Sequence, residues 1–520
     1  MDRKLILILF AVASALPTKG DTIRVEGGLI AGKTGRNPAI QVYEGIPYAA
    51  PPVGGLRWRA PEPVVAWEGV RKAEQYSPTC MQPERPHDSV YYPGFEPISE
   101  DCLYANVWAP AVAARNAVPV MVYIHGGGFR VVSGSEGFFD GEALAKQGVI
   151  VVTFNYRLGA FGFFAHPELT RESDRHASGN YGLADQIAAL RWVQKNIAAF
   201  GGDPKRITIF GQSAGADSVC YLLASPLTKG LYIHAIAESI VDCFVSPEEE
   251  TRLPAAEQAG GKLLSDAKVS SLAELRAMSA ADLLKVSGQT TFRPIIDGYI
   301  LPASPYSIFF HGDENRVDLI AGSNRDEGTL LGGRFPGQAS VFVEQMREKY
   351  GERADAFLKV FPANSDAQSK DSNYALWRDE VAVQARIATS QITSFGKVKA
   401  FRYYFSHKPP IPRGMFREQA THELGAFHSA ELEYVFHNLD TRPYDWSDED
   451  RRLADTMSAY WVNFAKSGNP NGSGLPYWPD TDARNDVLME FGDKLQAHPG
   501  IDKAALDFLE SSLAKQHVRE

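Results

Sequence analysis

Apolar residues recur along the chain with two different periods. Residues 118–126 (VPVMVYIHG) and 148–159 (GVIVVTFNYRLG) are nearly unbroken apolar, β-branched runs. Such runs predict strands buried on both faces. Leu183, Ile187, Leu190, Val193 and Ile197 follow at helical spacing, and Gly201-Gly202 supplies the stop. Residues 205–211 (KRITIFG) read as a further strand and 214–225 (AGADSVCYLLAS) as a helix. Later strands are expected at 317–324 and 398–405. Alternating β and α units of this kind predict an α/β protein with a mostly parallel central sheet covered by helices.

The start of the chain has a different character. Arg3 and Lys4 precede an apolar run and then Ala13-Ser14-Ala15. This pattern predicts a secretory signal peptide over residues 1–15, with cleavage as late as residue 20, and a secreted or periplasmic protein. The run is too short to span a bilayer. Residues 21–520 are then expected to form one domain. The formal net charge of −10 argues against nucleic acid as a partner. An exported chain can hold disulfides, and Cys80, Cys102, Cys220 and Cys243 are the four cysteines. Cys80 and Cys102 bracket a Pro- and Tyr-rich loop that suits a bridge. No Cys/His grouping suggests zinc.

Two glycine clusters make competing chemical offers. In EGGLIAGKTGRNP (26–38), Gly27 and Gly32-Lys33-Thr34 match a phosphate loop literally. Such a loop must follow a strand and open a helix. Gly35, Pro38 and the alternating IQVYEG that follows point instead to a short β-hairpin. The second cluster, Gly211-Gln212-Ser213-Ala214-Gly215, lies between an expected strand and an expected helix. That context suits an exposed serine nucleophile on a strained turn, with small residues at ±2 for close strand–helix approach. Upstream, YIHGGGF (123–129) places three glycines after a buried strand. Bare backbone there suits an oxyanion hole, which nominates the N–H groups of Gly127, Gly128 and Ala214. A serine also needs a base and an orienting acid. Histidines at 234, 311, 407, 422, 428, 437, 498 and 517 lie downstream, and position alone does not choose among them.

The blocks YEGIPYAAPPVGGLRWRAPEP, SEDCLYANVWAP, HGGGF, NYRLGAFGFF, GQSAG, GSNRDEG, GAFHSAELEYVF and WVNFAKSGNPN run through nearly the whole chain. Together they resemble the type-B carboxylesterases, the carboxylesterase/cholinesterase branch of the α/β-hydrolases. The resemblance implies an α/β-hydrolase fold and a carboxylic-ester hydrolase that works without a metal or organic cofactor on small-molecule esters. It implies Ser213 as nucleophile, Glu327 as acid and His428 as base. Chemically Asp326 would orient a histidine as well as Glu327; the family pattern of glutamate before glycine selects Glu327. The resemblance further implies a Cys80–Cys102 disulfide, a buried Arg57–Glu100 ion pair, and Ser239 as a serine that supports the triad.

The chain departs from the family pattern in places that bear on substrate choice. Phe129 and Arg130 follow the glycines, which puts a cation beside the expected oxyanion hole. It would bind an acidic acyl group or pair with a surface carboxylate. Glu238 and Ile240 flank Ser239, so Glu238 is a candidate substrate contact. Tyr91, Tyr92 and Phe95, in the Cys80–Cys102 loop, are expected to form an aromatic rim over the site. Cys220 and Cys243 are expected to be free thiols. An amidase, lactonase, thioesterase or polyester hydrolase with the same triad, and a non-catalytic binding protein on the same fold, are the alternatives.

Overall fold

The computed structural model describes residues 22–111, 117–244, 251–288, 290–332, 337–420 and 422–518. The expected signal peptide lies outside them. The main sheet contains β1 (Lys33–Thr34), β2 (Ile40–Pro47), β3 (Tyr104–Pro110), β4 (Val118–Ile124) and β5 (Ile150–Phe154). It continues with β6 (Gly202–Gln212), β7 (His234–Glu238), β8 (Asp318–Asn324), β9 (Ala400–Phe405), β10 (Val487–Phe491) and β11 (Leu495–Pro499). Their spatial order is β11-β10-β9-β8-β7-β6-β4-β5-β3-β2-β1. Neighbours from β5 through β4 and β6 to β10 run parallel, and the outer pairs are antiparallel.

The nearly unbroken apolar runs are explained by two cores, one on each face of this sheet. Val120, Val122 and Ile124 of β4 pack into one and Met121 and Tyr123 into the other. Side chains alternate across a strand, so a strand covered on both faces has no polar register. The expected helix near residue 183 is α1 (Tyr181–Asn196), which tightens into a 3₁₀ turn at Ile197–Phe200 and stops at Gly201 in the left-handed region. The helix after the serine is α2 (Ala214–Ala224).

The phosphate-loop match dissolves into strands. Ile23–Val25 and Gly28–Ala31 form an antiparallel hairpin, and Lys33–Thr34 is already β1. Lys33 Nζ donates to Glu44 at 2.6 Å and to the Glu74 carbonyl at 3.0 Å. No helix N-terminus follows that would cradle a phosphate.

Two disulfides are present. Cys80 joins Cys102. Cys220 joins Cys243, across a Cα–Cα distance of 6.3 Å, which corrects the expectation of free thiols. Cys220 lies on α2, and the loop leaving β7 returns over that helix because β7 pairs with β6. The linear sequence does not display that return.

At the base of the Cys80–Cys102 loop, Arg57 Nε and Nη2 meet the two Glu100 oxygens at 2.7 and 2.5 Å. Arg57 Nη1 also donates to the carbonyls of Arg276 and Met278. Arg57→Ala would strand Glu100 and two carbonyls at once. Removing one partner of such a pair costs about 3–5 kcal/mol, and denaturant unfolding of the variant should show a loss of that size. A loss below about 1 kcal/mol would mean that the pair is no more than a surface bridge.

Candidate active site

The candidate nucleophile position is built from β6 and α2. Ser213, between them, has φ 58° and ψ −126°. A non-glycine residue held there costs on the order of 1–3 kcal/mol, which the surroundings must over-determine. Ser213 N–H donates to the Glu238 carbonyl at 2.9 Å, and Asp217 N–H donates to the Ser213 carbonyl at 2.9 Å. A Cβ on Gly215 would stand 2.0 Å from the Ile124 carbonyl oxygen, so only glycine lets α2 lie this close to β4. Ala214 opens α2, and its N–H has no partner within the helix.

Strand β4 is the direct neighbour of β6, with Ile124 opposite Gly211. The glycine run that follows β4 therefore emerges beside Ser213. Gly127 and Gly128 have φ of 90° and 62°. Both, with Ser213, Ala214 and His428, line a cavity of about 590 Å³. A Cβ on Gly127 would sit 2.1 Å from the Val131 carbonyl oxygen. Gly127→Ala must therefore move this backbone, and kcat should fall about 10²–10³-fold, the usual loss when an oxyanion donor is removed. Steady-state kinetics on a folded variant with kcat within about threefold of wild type would exclude this loop from oxyanion binding.

The candidate acid and base come from the ends of other elements. Glu327, fully buried just beyond β8, lies 2.5 Å from His428 Nδ1 through Oε2. Its Oε1 accepts from Ser239 Oγ at 2.6 Å and from Asn324 N–H at 2.8 Å. Asp326 is turned elsewhere, its Oδ2 accepting from Ala426 N–H and Arg325. The alternative that side-chain chemistry left open is thus resolved by geometry: the carboxylate at the histidine is Glu327. His422 lies apart, 2.7 Å from the Thr329 carbonyl. Burial alone lowers the His428 pKa, but the charge and hydrogen bond of Glu327 outweigh it and leave the imidazole above its ordinary value of 6.5. A carboxylate on Nδ1 keeps the ring proton there and leaves Nε2 as the basic nitrogen. The Gln212 amide lies 3.3 Å from that Nε2.

Of the further neighbours, Tyr91 is expected from the sequence as part of the rim, whereas Asn324 and Glu431 carry no sequence signal. Tyr91 lines the cavity, and its hydroxyl donates to the His428 carbonyl at 2.9 Å. Asn324 also donates through its side chain to the Phe427 carbonyl and to Glu431. Glu431 is fully buried three residues beyond His428; burial and the Glu327 charge push its carboxyl up to about 7. Asn324 and Glu431 both sit inside recognisable blocks, GSNRDEG and GAFHSAELEYVF, but ordinary polar residues there do not announce a role.

Other expectations need correction. Glu238 is fully buried away from the cavity, with Trp461 Nε1 donating to it at 2.6 Å. The physical reason is where the strand ends: Glu238, its last residue, shares the face of Ile236, which packs in the Trp461 core, whereas the chain turns at Ser239, φ 59°, and its hydroxyl reaches Glu327. Of the aromatic rim only Tyr91 lines the cavity. Tyr92 packs on His87 with centroids 4.5 Å apart, and Phe95 is 90% exposed. Phe129 does line the cavity and packs against Phe163 and Tyr221. Among the described residues Arg130 meets no carboxylate; it donates to the Gly288 carbonyl at 3.0 Å in a separate cleft beyond Gly128.

Among the described residues no group of three or more His, Cys, Asp or Glu side chains is placed to hold a metal ion. Nor is any helix of the described residues long and apolar enough to cross a membrane.

Comparison with known proteins gives a consistent result. The sequence model described as Carboxylesterase family matches residues 19–509. A fumonisin B1 esterase from Sphingopyxis macrogoltabida is 36% identical over 94% of this chain and 91% of its own. The para-nitrobenzyl esterase of Bacillus subtilis (strain 168) is 37% identical over 85% of this chain and 88% of its own. A human cocaine esterase is 34% identical over 93% and 88%. A solved PNB esterase structure superposes with a TM-score of 0.81 at 32% identity, covering 95% of this chain and 99% of that one. With sequence and fold agreeing over nearly the whole length, the chain belongs to the carboxylesterase family and is an esterase of α/β-hydrolase fold.

Proposed function

We propose that this esterase hydrolyses carboxylic esters by a Ser213–His428–Glu327 triad through an acyl-enzyme. His428 Nε2 takes the Ser213 proton as Oγ attacks the ester carbonyl carbon. Glu327 holds the imidazole tautomer and stabilises the imidazolium. The N–H groups of Gly127, Gly128 and Ala214 receive the oxyanion. His428 then protonates the leaving alcohol, and water, activated by the same base, releases the acid. The reading rests above all on the Glu327–His428 contact at 2.5 Å, with His428 and the strained Ser213 turn lining one cavity. Ser239 and Asn324 serve as positioning residues for Glu327. Residues 1–15 act as a signal peptide, residues 21–520 as the catalytic domain, and the enzyme works outside the cytoplasm; two disulfides favour that compartment.

The test is twofold. Purified enzyme should hydrolyse p-nitrophenyl and p-nitrobenzyl esters, and a fluorophosphonate should label Ser213 with loss of fluoride and of activity. Labelling at another residue, or turnover of amides or thioesters with none of oxygen esters, would sink the proposal. The apolar wall formed by Val131, Val132, Phe138, Phe139, Leu330 and Trp377 supports a largely apolar ester as substrate.

A further inference from the structure

One acidic side chain lining the catalytic cavity has no hydrogen-bonded cationic partner among the described residues. Asp217 stands four residues after Ser213 on α2, about 6 Å along the helix axis. It is only 1% exposed, yet it lines the cavity. Its Oδ1 accepts from the N–H groups of Val241 and Asp242, each at 2.9 Å. Its Oδ2 has no hydrogen-bond or ion-pair partner among the described residues, and it is not one of the fully enclosed polar atoms; it opens on the cavity. The two guanidinium groups that also line the cavity are already matched. Arg293 meets Asp242 at 2.7 Å, and Arg85 meets Glu136 at 2.5 Å.

We propose that Asp217 is a specificity-determining residue whose Oδ2 receives a protonated amine carried by the substrate, so that the enzyme selects cationic esters. This rests on the triad reading above. An unpaired buried carboxylate is costly, and the apolar walls around it strengthen any ion pair formed there. Burial and the Asp242 charge hold the Asp217 carboxyl up at about 8, so at pH 7 it is largely protonated without substrate; a bound ammonium group would offset both effects and draw the carboxyl into its ionised form. An anionic substrate would have to displace Asp242 from Arg293 and would leave Asp217 unmatched. The Cys220–Cys243 bridge and the Asp217 Oδ1 bonds both tie the segment after Ser239 to α2, which keeps the anchor at a fixed distance from Ser213.

The experiment compares kcat/KM at pH 7 within isosteric pairs. One pair places the charge in the alcohol: 2-(dimethylammonio)ethyl butyrate against 3-methylbutyl butyrate. The other places it in the acyl group: ethyl 4-(dimethylammonio)butyrate against ethyl 5-methylhexanoate. Wild type should favour the cationic member of at least one pair by about tenfold or more. Asp217→Asn keeps the Oδ1 acceptor and should abolish that preference while changing the neutral member by less than about threefold. Equal rates within both wild-type pairs overturn the anchor without any variant. So does a preference that survives in Asp217→Asn, or a wild-type preference for monoethyl succinate over all four probes. Failure of wild type to hydrolyse even the neutral members is a different result: it removes the esterase reading itself.

Discussion

Ser213→Ala should lower kcat on p-nitrophenyl butyrate by about 10⁴–10⁶-fold and leave a folded protein. The size follows from how the site is divided. Removing the hydroxyl abolishes the covalent route entirely, while the Gly127, Gly128 and Ala214 amides remain to polarise a bound carbonyl. What survives is the modest catalysis that an oxyanion hole and binding give by themselves. The fold should tolerate the change, because Ser213 owes its left-handed backbone to its neighbours. Its N–H is held by Glu238, its carbonyl by Asp217, and Gly215 lets α2 close on β4. Single-turnover kinetics should show no burst of p-nitrophenol, and circular dichroism should match wild type. A variant that keeps more than about a hundredth of wild-type kcat would remove Ser213 from the mechanism.

Glu327→Gln is the second large effect, and it carries a pH signature. The loss in kcat should be about 10⁴-fold, the size seen when a triad carboxylate becomes an amide and the imidazole tautomer is no longer held. The direction of the pH shift follows from the balance at His428. Burial lowers its pKa, and Glu327 raises it by more. In wild type the acid limb of kcat/KM should therefore lie above pH 6.5, because the base is protonated and inactive below its pKa. In Glu327→Gln the raising partner is gone and burial remains, so the residual activity should extend to lower pH. Ser239→Ala should move the limb in neither direction by as much, since that hydroxyl orients the carboxylate without carrying charge. A Glu327→Gln profile with an unmoved or raised limb would mean that another group, such as Glu431, sets the histidine's pKa.

Much of the site was legible because family-wide chemistry sits in contiguous strings. GQSAG and HGGGF each combine a backbone demand with a reactive role, and glycine is the only residue that meets the demand. The acid was less legible. Asp326 and Glu327 are chemically equivalent neighbours, and what separates them is that the turn after β8 sends Glu327 inward and Asp326 to the Ala426 amide. Glu238 and Ser239 illustrate the same limit. Both looked close to the reaction, but Glu238 ends β7 facing the Trp461 core, while the turn at Ser239, φ 59°, sends its hydroxyl to Glu327. Of the loop residues Tyr91, Tyr92 and Phe95 only Tyr91 reaches the cavity, for a related reason. A loop has no period, so exposure within it follows from tertiary contacts such as the Tyr91 hydroxyl on the His428 carbonyl.

By itself the sequence determined the α/β layering, the family, the strained serine turn and the glycine loop. Each is a local property: hydrophobic period, chain entropy at glycine, or a short motif whose backbone needs are met within a few residues. The tertiary structure decided everything that depends on long-range return of the chain. It set which carboxylate meets His428, paired Cys220 with Cys243, moved Arg130 and Glu238 out of the cavity, and left Asp217 as its one carboxylate without a cationic partner among the described residues. Those outcomes depend on which loops the parallel sheet brings to its carboxyl edge, and strand order across a sheet is not written in any local segment of the chain.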